Sequence, residues 1–395
     1  MRIAMVSVHA SPLADVGAGA GSQSVHVANL ASALVRHGCE VTVYTRRDRP
    51  DVEAAVDTAD GYAVVHVDAG PAEPMPRDDL LPYATRFAER LGESWGVERP
   101  DVVHAHHWLS GLAALRVALP FELPVVQTFH GLGAVQGRHL GAADPSPRER
   151  PGVEREIGTR SEAVIATCED EAAELIAAGV PGEKVAVVPG GVDLDRFCPV
   201  GTVGAGVVGG RNGRSRLVAA GKLLRRKGFD LAVASLRYLP ATELVIAGGP
   251  AERSGDPEPA RLRWVAQECG VADRLILPGA VAHDAMPALY RASEVAVCTA
   301  WYEPLGMVAL EAMACGVPVV GTAVGALGDI VEDGVTGALV RSHDPAAFAA
   351  AVRPFLEDDD LRLRAGLAAR SRACAGHAWE AVAASTLKTY DQALR

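Results

Sequence analysis

Positive charge is scarce in this chain and unevenly made: 38 Lys and Arg face 49 Asp and Glu, the net charge is −11, and only 4 of the basic residues are Lys. Phosphate backbones are held by clustered Lys and Arg, so this deficit argues against a nucleic-acid partner and confines any anion contact to local groups. Cysteine is sparse as well, with 7 residues at positions 39, 168, 198, 269, 298, 315 and 374, odd in number and without CxxC spacing. That pattern excludes the common zinc and disulfide frameworks and leaves reduced thiols as the expectation. Long apolar runs are missing. Val295-Ala-Val-Cys298 is typical, far below the roughly 20 residues a bilayer requires, so no integral membrane association is expected. The opening Met1-Arg-Ile-Ala-Met-Val-Ser-Val-His9 has one basic residue and a short β-rich run rather than a signal-peptide pattern. It reads as a first strand, and the protein as cytoplasmic.

What the chain does have is alternation. At 395 residues it exceeds one ordinary core and fits two α/β domains. Short β-branched runs alternate with helical patterns throughout, as in βαβ units with parallel sheets. The first series is Ile3–Val8, Val41–Tyr44, Ala63–Val67, Val102–Ala105, Val125–Thr128, Ala163–Ala166 and Val185–Val188. A second series is Arg216–Ala220, Glu243–Ala247, Arg274–Leu277, Glu294–Thr299 and Pro318–Gly321. Between them, residues 200–213 hold six Gly in 14 positions, too little apolar surface to pack and enough Gly to flex. The domain boundary is placed there. From about Asp360 the chain reads as helices, including Trp379 to Tyr390 with apolar residues at helical spacing.

The most informative stretch is Trp301-Tyr-Glu-Pro-Leu-Gly-Met-Val-Ala-Leu-Glu311, continuing through Ala-Cys-Gly-Val-Pro-Val-Val320. Pro304 suits the first turn of a helix, which would set Glu303 at the helix mouth and Glu311 about two turns further in. Helix N-termini attract diphosphate, and carboxylates accept hydrogen bonds from sugar and ribose hydroxyls. The block resembles the E-x7-E signature of the retaining glycosyltransferases of family 4. That resemblance implies an α/β GT-B architecture, two Rossmann-like domains facing a central cleft. The expected division is an acceptor-side domain at 1–199, the linker, a donor domain at 214–372, and a C-terminal helix at 373–395 crossing back to the first domain.

The resemblance extends to further segments, each carrying an implied role. Ala219-Ala-Gly-Lys-Leu-Leu-Arg-Arg-Lys-Gly-Phe229 is similar to the family's basic donor-phosphate loop, with Lys222 and Lys227 at its ends; the family usually has Arg at the first. Ala14 to Leu30 resembles the Gly-rich loop near the donor phosphates, with Gly21 as the phosphate contact and Ser24 on the acceptor side. A dinucleotide-binding reading fails there, because Ser22 stands where GxGxxG needs Gly. His130, ending the Val125 strand, falls where the family places a His beside the transferred sugar. Pro304, Leu305, Gly306, Met307 and Val308 complete the implied donor set with Glu303 and Glu311.

Val103-His-Ala-His-His-Trp108 suggests a metal by its crowded His, but neither a carboxylate nor another His at ligand spacing accompanies it, so no metal is expected. The segment resembles an acceptor-side block, with His107 where relatives carry Tyr. Asp193-Leu-Asp195 is a metal motif elsewhere; here it matches a loop closing the first domain. By motif the chain also resembles the inositol-phosphate and sucrose-phosphate enzymes: Arg77 lies near where the inositol-phosphate enzymes place a phosphate-binding Lys, and Arg150 is a second resemblance of that kind. Ser24, Gly131 and His107 depart from the inositol-phosphate pattern and leave the acceptor open.

The implied chemistry is metal-independent sugar transfer with retention, front-side attack and no separate nucleophile. The partners are a nucleotide-diphosphate sugar, UDP first, and a small hydroxyl acceptor, with no cofactor. The catalytic set is His130, Glu303, Lys222 and Lys227. Two other classes stay open: a nucleotide-sugar epimerase of the same fold, and a non-catalytic nucleotide-sugar-binding subunit.

Overall fold

The computed structural model describes residues 1–14, 21–202, 209, 213–249 and 257–395. Most of the Gly-rich 200–213 segment, and the part of the first Gly-rich loop before Gly21, lie outside the described residues. The chain forms two compact units, the first ending at Gly190 and resuming at Trp379–Arg395, the second running Gly191–Ala378.

In the first unit, β1 (Arg2–Val6), β2 (Glu40–Arg46), β3 (Ala55–Asp57), β4 (Ala63–Val67), β5 (Val102–His106), β6 (Val125–Thr128), β7 (Ala163–Ala166) and β8 (Val185–Val187) make one sheet. Its order is β3-β4-β2-β1-β5-β6-β7-β8. Neighbours run parallel except β3 with β4. Helix Ser22–Arg36 buries Val27, Leu30, Ala31 and Leu34 beside Met5, Val43 and Val126, at the spacing that lines one helix face. Each such Leu or Val contributes about 1.5–3 kcal/mol. Helix Trp379–Ala393 adds Trp379, Val382, Ala383 and Tyr390 to the same core.

The second unit has β9 (Ser215–Ala220), β10 (Thr242–Ala247), β11 (Leu275–Gly279), β12 (Val295–Cys298), β13 (Val319–Thr322) and β14 (Gly337–Val340). They lie in the order β11-β10-β9-β12-β13-β14, all parallel. Helix Pro345–Glu357 starts at Asp344, whose carboxylate caps Ala346 and Ala347 N–H, and buries Phe348, Val352 and Phe355 near Leu217 and Leu244. The acidic run Glu357–Asp360 is a helix junction, with Asp358 accepting from Leu361 N–H.

All the expected strands are present. The sequence reading lacked β3, a three-residue antiparallel edge, and β14, which has Val only at its last position. The units part at Gly190, ahead of the Gly-rich stretch, because residues 191–202 pack on the second unit. Phe197 is buried against His283 and Tyr290, and Arg291 donates to the carbonyls of Cys198 and Thr202.

Candidate functional site

In parallel sheets the loops after the strands' carboxyl ends collect ligands, and the expected site residues fall there in each unit. After β9 the chain turns through exposed Lys222 and reaches Lys227 at the end of a short 3-10 turn, Arg225–Lys227. Gly228 follows at φ 62, and a Cβ there would overlap the Thr299 carbonyl oxygen. That close approach ties the β9 loop to the β12 loop: Thr299 Oγ1 donates to the Lys227 carbonyl at 3.1 Å and Trp301 N–H to the Arg226 carbonyl at 2.8 Å. The tie brings Lys227 Nζ onto the Glu303 carboxylate in a largely buried ion pair. Burial pushes the Glu303 carboxyl up, but Lys227, Arg226 and the Gly306 N–H outweigh it and hold the group below its ordinary value.

The helix after Glu303 begins later than expected. Pro304 lies before it, in a bend; the helix is Met307–Ala314, with Gly306 as N-cap at φ 63. The helix cannot start at Pro304 because the chain first folds against the following strand's loop: Ala326 N–H donates to the Glu303 carbonyl at 2.8 Å, and Leu305 is buried. Met307 and Val308 therefore form the first turn, whose N–H groups no helical carbonyl reaches. Glu311 lies in this helix and is nearly buried. Its oxygens accept from Tyr290 Oη at 2.9 Å and pair with His283 Nε2 at 3.0 Å. Burial and Glu311 push the Tyr290 hydroxyl well above its ordinary value, which fixes it as a donor. His283 and Tyr290 rest on Phe197, whose loop is pinned by Asp193 Oδ1 accepting from the N–H groups of Asp195 and Arg196. Asp193 thus acts on the loop. His283 and Tyr290 carried no sequence signal, being single residues in segments remote from Glu311.

On the first unit, Gly21 is the N-cap of helix Ser22–Arg36 and makes no side-chain cap; Ser24 is in its first turn, buried, with its N–H on the Gly21 carbonyl at 3.0 Å. His107 and His130 follow β5 and β6. Among the described residues only His107 (φ 76), Glu122 (φ 51) and His130 (φ 59) are non-glycines at positive φ. Such strain persists where surroundings enforce it, often at functional sites. His107 donates its N–H to the Thr128 carbonyl at 2.7 Å, is 2% exposed, and among the described residues has neither ring nitrogen hydrogen-bonded. Burial, then His9, Arg77, Arg150 and His130, push its pKa well below the usual range. The ring is therefore neutral, with the guanidinium groups of Arg77 and Arg150 among its neighbours.

Of those groups, Arg77 lies against its neighbour Asp78, at 3.5 Å, and is partly exposed. Arg150 is 2% exposed and turned inward. It donates through Nε to Glu154 at 2.7 Å, through Nη2 to the Gly131 carbonyl at 3.0 Å and through Nη1 to Gln136 at 3.4 Å. Glu154 in turn accepts from Gly133 N–H at 2.8 Å, and Glu171 from Gly131 N–H at 3.1 Å. Arg150 thus braces the His130–Gly133 turn, a role its sequence match did not disclose.

The crowded His separate. His104 is held by Tyr390 Oη at 2.6 Å and Thr128 Oγ1 at 2.9 Å, whereas His106 Nδ1 shares a hydrogen bond with His130 Nε2 at 2.9 Å. His26 stands edge-on to His130, ring centres 5.0 Å apart. Burial lowers the His26 pKa to about 4 and takes those of His106 and His130 well below the usual range, so all three rings are neutral. A hollow of about 650 Å³ lined by Arg2, Asp101 and Glu162 lies at the opposite, amino ends of β1, β5 and β7 and holds none of these residues. Among the described residues no helix is long and apolar enough to cross a membrane.

Comparison with known proteins bears on both units. Residues 23–196 match Glycosyltransferase Family 4 and residues 208–372 match Glycosyl transferases group 1. The chain is 37% identical, over its whole length and 97% of the relative, to D-inositol 3-phosphate glycosyltransferase of Xylanimonas cellulosilytica. It is 34% identical to the protein of that name from Streptomyces coelicolor, over all of this chain and 92% of the other. Among solved structures it is similar to sucrose-phosphate synthase from Thermosynechococcus elongatus, with TM-score 0.91, 30% identity, and coverage of 99% of this chain and 98% of that one. HepE from Anabaena, solved with UDP and glucose, shares the fold at TM-score 0.76 and 18% identity, covering 98% of this chain and 99% of its own.

Proposed function

Because the chain belongs to glycosyltransferase family 4, we propose that it moves a sugar from a nucleotide-diphosphate donor, UDP-sugar first, to a phosphorylated cyclitol or sugar with retention of configuration. The observation that carries this reading is the buried Lys227–Glu303 pair at the start of helix Met307–Ala314. A cation and first-turn N–H groups meet there beside an ionised carboxylate. Those are the groups a sugar diphosphate requires, phosphate on the first two and sugar hydroxyls on the third.

As the bond to the anomeric carbon breaks, charge collects on the leaving diphosphate, where Lys227, Lys222 and the helix start stabilise it. Glu303 orients Lys227 and holds the sugar; Glu311, set by His283 and Tyr290, holds the ribose. On the first unit Gly21 serves the phosphate and neutral His130 the transferred sugar. Front-side attack passes the acceptor proton to the leaving phosphate oxygen, so no protein nucleophile or metal is needed. For the acceptor, partly exposed Arg77 near His107 supplies the positive charge an acceptor phosphate needs, while Arg150 holds the turn beside it, and the names of the D-inositol 3-phosphate relatives support the same class. Ser24 lies in the adjoining helix start. Support for UDP comes from the HepE complex.

The test is thermal stabilisation by UDP, GDP and ADP, followed by product analysis of the matching sugar nucleotides with inositol phosphate as acceptor. The expected result is UDP binding and an α-configured glycoside from an α-linked donor. An inverted glycoside, or a free epimerised sugar, overturns the reading.

A further inference from the structure

We infer that His26, His106 and His130 form a binding site for an imidazole-preferring divalent transition metal, of the nickel, copper or zinc class. Each ring offers one nitrogen within 4.8 Å of the other two, although the three come from a helix and from the ends of two strands. His26 and His106 are buried and His130 is half-buried, which gives the cluster one open side. His106 Nδ1 and His130 Nε2 stand 2.9 Å apart. Two nitrogens at that spacing can both bind one ion at about 2.0–2.1 Å, subtending roughly a right angle. The neutral rings share a single proton across that contact; as a metal ion takes its place, the proton moves to the other nitrogen of its own ring, so both ligands stay neutral imidazoles.

Two features set this cluster apart from a packed group of satisfied histidines. Among the described residues His26 Nδ1, His106 Nε2 and His130 Nδ1 are buried and have no hydrogen-bond partner, so no bond to the rest of the fold fixes the tautomer of His106 or His130 and each can present its contacting nitrogen to an ion. His104, one residue pair away on the same strand, is by contrast bonded at both nitrogens and takes no part. Three neutral imidazoles without a carboxylate make a set that leaves a coordination position open, and imidazole suits nickel, copper and zinc. His26 is edge-on to Trp379 as well, at 5.4 Å between ring centres, which limits how its ring can turn.

The inference has a consequence for transfer that rests on the proposed role of His130: an ion held there takes the ring away from the donor sugar, so Ni2+ inhibits an enzyme that needs no metal. Equilibrium dialysis of the full chain with Ni2+ is expected to give one tight site. His26→Phe, which keeps an aromatic ring against Trp379, should weaken it by at least the tenfold to hundredfold that loss of an outer-shell partner already costs. Exposed His37, His139, His343 and Cys374 provide a background that both proteins share. Electron paramagnetic resonance of the Cu2+-loaded wild type should show several imidazole nitrogens on one ion, a readout that does not depend on how well the variant folds. Equal Ni2+ binding by wild type and a folded His26→Phe, or copper bound by a single imidazole, overturns the site. Tight binding without inhibition leaves the site standing and counts instead against the role of His130.

Discussion

At the scale of single residues, Lys222 stands in a chain that otherwise uses Arg almost throughout. If it holds the donor diphosphate, Lys222→Ala should lower kcat/KM by about 2–4 kcal/mol, the cost of one preorganised charge. Lys222→Arg should keep substantial activity, since a guanidinium can grip two phosphate oxygens. Steady-state kinetics decide; an unimpaired alanine variant removes Lys222 from the site. The two glutamates divide differently. Glu311→Ala should weaken binding of the nucleoside diphosphate, because it also strands the Tyr290 hydroxyl and His283, while Glu303→Ala should spare nucleotide binding and impair transfer. Calorimetry with UDP would show equal losses if that division is wrong. The Lys227–Glu303 pair has a pH signature. Since Glu303 titrates below its ordinary value of 4.5 in the folded chain, its stabilisation is complete above that value and is lost as pH falls through the lowered one. Lys227→Met leaves the carboxylate buried alone, at a cost of about 3–5 kcal/mol near neutral pH. Thermal unfolding should show that deficit narrowing as pH falls, first above 4.5, where burial without Lys227 makes Glu303 of the folded variant take up a proton, and then below 4.5, as the wild type loses its ion pair; a constant gap across pH speaks against the pairing.

Elements explain which parts of this could be read in advance. The Glu303–Glu311 block and the Lys222–Lys227 loop were legible because each is contiguous and carries its own turn chemistry. The helix start expected at Pro304 falls instead at Met307, because the delay comes from Ala326, past Thr322, folding onto the Glu303 carbonyl. The His26, His106 and His130 cluster, and the grip of His283 and Tyr290 on Glu311, arise from parallel strands that place distant residues at neighbouring carboxyl ends. Local patterns do not register that. The same logic separates the two arginines. Arg150 braces the turn after β6, so Arg150→Met should cost about 3–5 kcal/mol of stability by leaving Glu154 buried and unpaired. Arg77, partly exposed, should tolerate Ala within about 0.5 kcal/mol while raising the acceptor KM. Chemical denaturation alongside acceptor kinetics tests the pair, and comparable stability losses in both variants would contradict it.

For the molecule as a whole, the proposed chemistry places cationic side chains where other transferases use a metal. Turnover should survive EDTA; activity abolished by the chelator and restored by Mg2+ or Mn2+ would overturn that. The proposed donor site also depends on two glycines outside the acidic motif. Gly228 approaches the Thr299 carbonyl, and Gly325, at φ 51, approaches the Glu303 carbonyl, each so closely that a Cβ would collide with backbone. The segment from Thr299 to Glu303 is therefore shaped from both flanks. For recombination between relatives, the portable cassette is the whole span from Gly228 to Gly325. A crossover that transplants only the acidic motif would separate it from the backbone that gives it its form, which makes such chimaeras poor starting points for changing donor preference.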